Sequence, residues 1–316
     1  MILRLMQRVA ILLVSLAVSS VIVFGFMAVL PGDPARVALG VSSSEEAVTQ
    51  LREEFGLDRS VPAQYFSWVH GLVTFDPGSS YISRAPIGPQ IADRLQVTLW
   101  LVATAMILAF VLAIPIGTLM AVRHRKVSGL LLSGISQVGV AVPAFLAGIL
   151  LITVFAVGLG WLPANGWTPP AQDPVMFASQ LVLPCLSLGV VQAAVLTRYV
   201  RSAVLDVLRE DYLRTARAKG LQPMQALFKH GLRNASVPVV TVLGLQLATL
   251  LVGAVVVERV FVIPGLGSLL LDSVSNRDLI MVQDVVMVLV VAVLLVNFLV
   301  DLLYLAIDPR LRAGAR

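Results

Sequence analysis

Six apolar runs, each long enough to cross a bilayer, constrain this chain more than anything else in it. A helix rises about 1.5 Å per residue, so about 20 apolar residues span a hydrocarbon core. Such runs fall at about residues 9–30, 97–122, 129–158, 180–201, 237–257 and 284–306. Composition agrees. Of 316 residues, 58% are hydrophobic and 13% charged, where soluble domains carry about 25% charged residues. The expected fold class is therefore an all-α integral membrane protein with six transmembrane helices in a lipid bilayer. The first run follows Arg4 and Arg8 and superficially looks like a secretory leader. Its apolar core is too long for one, and Pro31-Gly32-Asp33-Pro34 follows in place of a small-x-small cleavage site, so the run is expected to be retained.

Basic residues set the orientation. With the N-terminus inside, the cytoplasmic pieces hold Arg4 and Arg8, then Arg123, Arg125 and Lys126, then eight cations from Arg198 to Arg233, and finally Arg310, Arg312 and Arg316. That is 16 of the 23 Lys and Arg, and it includes all three lysines. Both termini are expected in the cytoplasm. The same asymmetry accounts for the net charge of +5 without any nucleic-acid partner. The chain then reads as 1–30, the N-terminus and first span; 31–96, an extracytoplasmic loop with short helices; and 97–316, a five-helix core with a cytoplasmic connector at about 202–236.

The outer loop carries helical patterns. Ser43 and Glu46 are spaced as a capping box, Val48, Leu51 and Phe55 recur on one face, and Gly56 is placed to end that helix. A second segment, 61–75, carries Tyr65, Phe66, Trp68 and Phe75. Aromatics at this position suit a headgroup anchor or a platform for an outer partner. Within the spans, Pro115, Pro143 and Pro184 predict kinks. The rows Ala113-Gly117-Ala121 and Ala144-Gly148 predict close helix contact. Intramembrane polar residues are sparse: Gln246 and Thr249 in the fifth run, Asn297 and Asp301 in the sixth. Such groups often line a path or pair across helices.

Enzyme chemistry finds little support. His70, His124 and His230 fall in different loops, so no shared metal site is expected, and the single Cys185 reads as a small buried hydrophobe. No phosphate-cradling Gly-x-x-x-x-Gly-Lys-Ser/Thr loop occurs, so no cofactor is expected in this chain, and any ATP and Mg would be held by another polypeptide or by an ATPase fused elsewhere.

The connector is unusual for a plain link between spans. Residues 203–218 read as one amphipathic helix, Gly220 breaks it, and Pro223 suits the first turn of another. Met224, Leu227 and Phe228 give that second helix an apolar edge. Spacing alone leaves a lipid surface and a partner protein equally open as what covers it.

The connector sequence Arg214-Thr215-Ala216-Arg217-Ala218-Lys219-Gly220 resembles the EAA loop of ABC importer permeases, in the form found in the peptide and nickel branch. So does His230-Gly231-Leu232-Arg233-Asn234. Leu30-Pro31-Gly32-Asp33-Pro34-Ala35, Gly56-Leu57-Asp58 with Pro62 and Gln64-Tyr65, and Glu258-Arg259-Val260-Phe261 before Pro264-Gly265-Leu266-Gly267 resemble further stretches of that branch, as does Asp301-Leu302-Leu303-Tyr304 with Asp308-Pro309-Arg310. Phe75-Asp76-Pro77-Gly78 departs from the Gly-Asp-Leu-Gly common in relatives.

The resemblance implies the type I importer fold and the role of first membrane subunit for short peptides in a prokaryotic plasma membrane. It implies a heterodimer with a second permease, two ATPase domains and an extracytoplasmic binding protein. On that basis Arg214, Thr215, Ala216, Arg217, Lys219, Gly220, Pro223, Met224, Leu227, Phe228 and Lys229 are expected to face the ATPase. Gln246 and Thr249 are expected in the translocation path, and Glu258, Arg259, Pro264 and Gly265 at the outer gate. Glu258 and Arg259 read first as a local ion pair, and Gly265 and Gly267 as glycines needed for turn conformations. Nickel or another small solute shares these motifs. A stand-alone secondary transporter would need mid-membrane ionisable groups or inverted broken helices.

Overall fold

The computed structural model describes residues 2–30, 32–39 and 44–307, and among these it is helical throughout apart from turns and one isolated antiparallel bridge, Ser79 to Pro86. The helices are α1 (Ile2–Val29), α2 (Pro34–Leu39), α3 (Glu45–Glu54), α4 (Val61–Val73), α5 (Ile87–Val122), α6 (Val127–Ala141) and α7 (Ala144–Leu151). They continue as α8 (Pro174–Leu208), α9 (Asp211–Ala218), α10 (Pro223–Ala226), α11 (Leu232–Val260), α12 (Leu266–Ser275) and α13 (Leu279–Ile307). Short π-helical stretches, Ile152–Gly158 and Leu227–Gly231, extend α7 and α10.

Five helices, α1, α5, α8, α11 and α13, are long and apolar enough to cross a membrane. The third expected run, 129–158, is not one straight rod. Its two halves, α6 and α7 with its extension, are bent by 97°. The break falls at Pro143, which lacks an N–H and disfavours the helical region for the preceding residue, and Val142 sits at φ −83°, ψ 120°. Pro115, Pro184 and Pro238, by contrast, lie inside continuous helices. Most spans also run past their apolar cores. α8 begins at Pro174 because the Asp173 carboxylate caps it, accepting from the backbone N–H of Val175 at 3.0 Å and of Met176 at 2.9 Å.

The chain divides into two compact units, one of residues 1–5, 99–263 and 296–316, the other of residues 6–98 and 264–295. In the first, α8 packs against α6, α7 and α11. Small residues let helices meet closely there. A Cβ on Gly117 of α5 would lie 2.7 Å from Val200, and one on Gly189 of α8 would lie 3.0 Å from the carbonyl oxygen of Ala105. Ala113 and Ala121 are buried as their row predicts, and Gly148 lies against the Phe261 ring.

The second unit holds three apolar clusters. Ile87, Ile91, Leu266, Leu269, Met281 and Val285 form one. Val23, Trp68 and Met287 form another, so the aromatic face of α4 packs on protein. Phe24 of α1 meets Tyr65 edge-on at 5.4 Å and Trp68 at 5.9 Å, and the Tyr65 hydroxyl lies 2.8 Å from that of Ser20. Phe66, on the other side of α4, is exposed. The third cluster joins Ala35 of α2, a helix the sequence pattern does not signal, to Val48 and Leu51 of α3. The cap of α3 is Ser44, whose hydroxyl accepts from Ala47 N–H at 3.3 Å; Ser43 lies outside the described residues. Gly56 ends that segment in the left-handed region, φ 67°. Pro31 and the segment from Asp308 onward also lie outside the described residues.

Candidate functional site

The connector is the most distinctive surface of the first unit. In place of one helix over 203–218, α8 continues to Leu208, the chain turns at Arg209–Glu210, and α9 starts afresh behind an extended Glu210. Asp211 in the first turn of α9 complements its helix dipole. α11 begins at Leu232 and runs through Pro238. Between α9 and α10, Gly220 adopts φ 94°, and a Cβ built there meets nothing within 4 Å. Backbone conformation, not space, demands glycine at this hinge. Pro223 opens α10, and Gln222 and Gln225 close a capping box around it.

The expected apolar edge of this region divides in two. Leu227 is fully buried with Ala226 and Leu213, whereas Met224 is 42% and Phe228 61% exposed. Behind Leu227 the packing is tight: a Cβ on Gly231 would lie 2.7 Å from Leu227 and 3.1 Å from Val207. Leu227 therefore anchors the short helix while Met224 and Phe228 project outward. Arg214, Thr215, Arg217, Lys219, Pro223 and Lys229 are exposed, and Ala216 is half-buried. Arg214 contacts Asp211 at 3.4 Å, one turn away, and the Thr215 hydroxyl donates to the Asp211 carbonyl at 3.0 Å. Arg217 Nε donates to the Leu213 carbonyl at 3.4 Å. This is a rigidly footed projection with two bare apolar side chains set among cations.

In the spans, Gln246 is tied to a residue that the sequence reading did not single out. Gln192 Nε2 of α8 donates to Gln246 Oε1 of α11 at 2.6 Å. Thr249 lies one turn further on; it is exposed, and its hydroxyl donates to the Leu245 carbonyl at 3.0 Å. Gln192 lies inside the fourth apolar run, 180–201, where a buried amide is the same signal that Gln246 gives in the fifth.

At the C-terminal end of α11, Glu258 is fully buried and Arg259 is exposed. Pro264 is half-buried and Gly265 buried. The expectation that Gly265 and Gly267 supply turn conformations fails. Gly265 has φ −98° and Gly267 lies within α12, while the left-handed residue of this turn is Val262, φ 53°.

The second unit holds a polar network the sequence does not announce. Trp68 Nε1 of α4 donates to Asp284 Oδ1 of α13 at 2.7 Å, and Asp284 is wholly buried. Its second oxygen has no hydrogen-bond partner among the described residues. One and a half turns earlier, Asp278 accepts from the Ser80 hydroxyl and, at 3.3 Å, from the Tyr81 backbone N–H. Burial pushes the Tyr81 hydroxyl up to about 12, with the Asp284 and Asp278 carboxylates acting in the same direction. Asp284 escapes notice because the sixth apolar run begins with it; α13 in fact begins five residues earlier. No group of three or more His, Cys, Asp or Glu that would hold a metal occurs among the described residues.

With helices bent and packed in this way around a projecting connector, the chain has the architecture of an importer permease. Residues 113–313 match the family described as the binding-protein-dependent transport system inner membrane component, and residues 1–102 match its N-terminal companion family. The chain belongs to that family: it is a multi-pass inner-membrane permease subunit of an ABC importer, of the dipeptide and oligopeptide type. It is 41% identical over 309 residues to the glutathione transport system permease protein GsiC of Escherichia coli strain K12, covering 97% of both chains. It is 41% identical over 310 residues to GsiC of Salmonella typhimurium strain LT2, covering 97% of this chain and 98% of that one. Among solved structures, an inward-facing form of the MetNI methionine ABC transporter aligns with TM-score 0.57 at 21% identity, over 69% of this chain and 96% of the other. That likeness bears on the fold, which is the type I importer permease fold. The matched family is the membrane component of systems that also contain ATPase and substrate-binding components.

Proposed function

We propose that this chain is one half of a heterodimeric permease that imports short peptides. The observation that carries the reading is the 41% identity, over 97% of both chains, to a permease named for glutathione, itself a tripeptide. The peptide-branch form of the connector, Thr215 to Gly220, supports the same class. Both termini and the connector face the cytoplasm, and the binding protein delivers substrate from the opposite side.

ATPase closure is the driving event. Met224 and Phe228 fill an apolar cleft in the ATPase, while Arg214, Arg217, Lys219 and Lys229 meet its surface charges. ATP and Mg stay on that partner. Leu227 and Gly231, packed against Val207, pass the movement to α8, and α8 and α11 carry it into the membrane. The Gln192–Gln246 pair joins those two helices in the wall of the path, with Thr249 beside it. Substrate selection rests mainly with the binding protein.

Uptake decides the substrate class. Cells lacking their own peptide importers, given this permease with its partner subunits, are expected to accumulate labelled tripeptide and not nickel. Nickel uptake without peptide uptake would overturn the reading.

A further inference from the structure

The second unit carries an open-sided cavity of about 730 Å³, lined by the C-terminal end of α1, by segments between residues 32 and 84, and by the first turns of α13. That size falls within the range of small-molecule sites, about 300–1,000 Å³. Its apolar part includes Trp68, Phe55 and Tyr81, the last two stacked with ring centroids 4.2 Å apart.

Its charges are unequally committed. Arg52 holds Asp33 with two hydrogen bonds, at 2.6 and 3.0 Å. Arg84 holds Glu54 at 2.8 Å and lies 4.7 Å over the Phe55 ring. Two charges remain. Arg59 has no carboxylate partner among the described residues, its side chain lying over Gly56. Asp76 has no cationic partner among them either; its carboxylate accepts only from Gly78 N–H, at 3.4 Å. The cavity thus offers one uncommitted guanidinium and one uncommitted carboxylate beside aromatic walls.

We propose that this cavity is a binding site for a short zwitterionic peptide, its carboxylate on Arg59, its amine on Asp76 and its side chains against Phe55, Tyr81 and Trp68. The proposal rests on the peptide reading above and gives this chain a peptide contact outside the spans. Charge-assisted pairing of both termini would select free peptides over capped ones.

The test is equilibrium binding of tritiated trialanine to the full permease–ATPase complex in phosphatidylcholine nanodiscs, without the binding protein. Arg59→Gln and Asp76→Asn are each expected to weaken binding about tenfold or more. Amidated trialanine should bind the native complex as weakly as free trialanine binds the Arg59→Gln variant, and should lose nothing further in that variant. N-acetylated trialanine should behave likewise with Asp76→Asn. Both positions are exposed, and unchanged melting of the complex confirms intact folding.

Absence of binding, binding indifferent to both substitutions, or capping and substitution effects that multiply would overturn the proposal. So would native mass spectrometry showing a phospholipid that co-purifies with the native complex and is lost from Arg59→Gln. ATP-driven trialanine uptake, measured with the binding protein present, separates the two readings. Uptake without the binding signature removes this site alone, whereas failed uptake removes the peptide function.

Discussion

Phe75 lies in the left-handed backbone region, φ 58°, with its side chain 91% exposed. A residue with a Cβ is strained there by about 1–2 kcal/mol, and nothing buried compensates. Phe75→Gly is therefore expected to stabilise the protein by about 1 kcal/mol, seen as a raised melting temperature in detergent; an unchanged or lowered value would contradict the backbone assignment. Trp68 works in the opposite sense, as the sole described donor to a buried carboxylate. Trp68→Phe keeps most of the ring volume but leaves Asp284 unpaired, and should cost about 1–3 kcal/mol by the same melt. Tyr81 supplies a pH dependence. Its hydroxyl ionises near 10.0 in the unfolded chain and near 12 when folded, so in that window the unfolded state holds fewer protons. Stability is then complete below about pH 10 and falls as pH rises towards 12. The Tyr81→Phe variant should lack this component of the alkaline loss.

At the scale of elements, hydropathy marks all five helices long and apolar enough to cross a membrane, and the bent pair α6 and α7 as well, because burial in lipid demands long apolar runs whatever the packing. It did not foresee where helices stop. α5 begins at Ile87, ten residues before its apolar run, since helical hydrogen bonding continues beyond the hydrocarbon. Nor did it foresee the 97° bend: Pro143 announced a kink, but Pro115 and Pro184 announced the same and lie in unbroken helices. Whether a proline bends or breaks a helix depends on neighbours that the local sequence does not contain. The connector was legible at Gly220 and Pro223, where one residue type answers one backbone requirement. Its apolar edge was not, since only packing separates buried Leu227 from exposed Met224 and Phe228. Polar pairing was half legible: Gln246 was found and its partner Gln192 was not. Replacing either amide alone with Leu should cost about 1–2 kcal/mol, and replacing both should cost less than the sum, because no polar group is then left unmatched. Strict additivity in melts of the three variants would show that the pair does not form.

For the whole molecule, the proposed function makes this chain a transmission part. On that proposal nucleotide chemistry lies with partner subunits, and this chain contributes a projection that turns at Gly220, is anchored by Leu227 and packs on α8. Replacing the exposed charges around that projection is expected to cost the fold little, since surface pairs such as Arg214–Asp211 contribute little to stability. Exposed apolar side chains are expected to be the sensitive ones: Met224 and Phe228 have a cost in water, which contact with the proposed ATPase partner would remove. The most direct test reconstitutes the permease pair, ATPases and binding protein in liposomes and measures ATP-dependent uptake of labelled tripeptide for the native chain and for Phe228→Glu. The native complex should import, and the variant should insert normally yet lose most uptake and the stimulation of ATP hydrolysis by loaded binding protein. Equal uptake by the two, or uptake by the native permeases without any ATPase, would contradict the account.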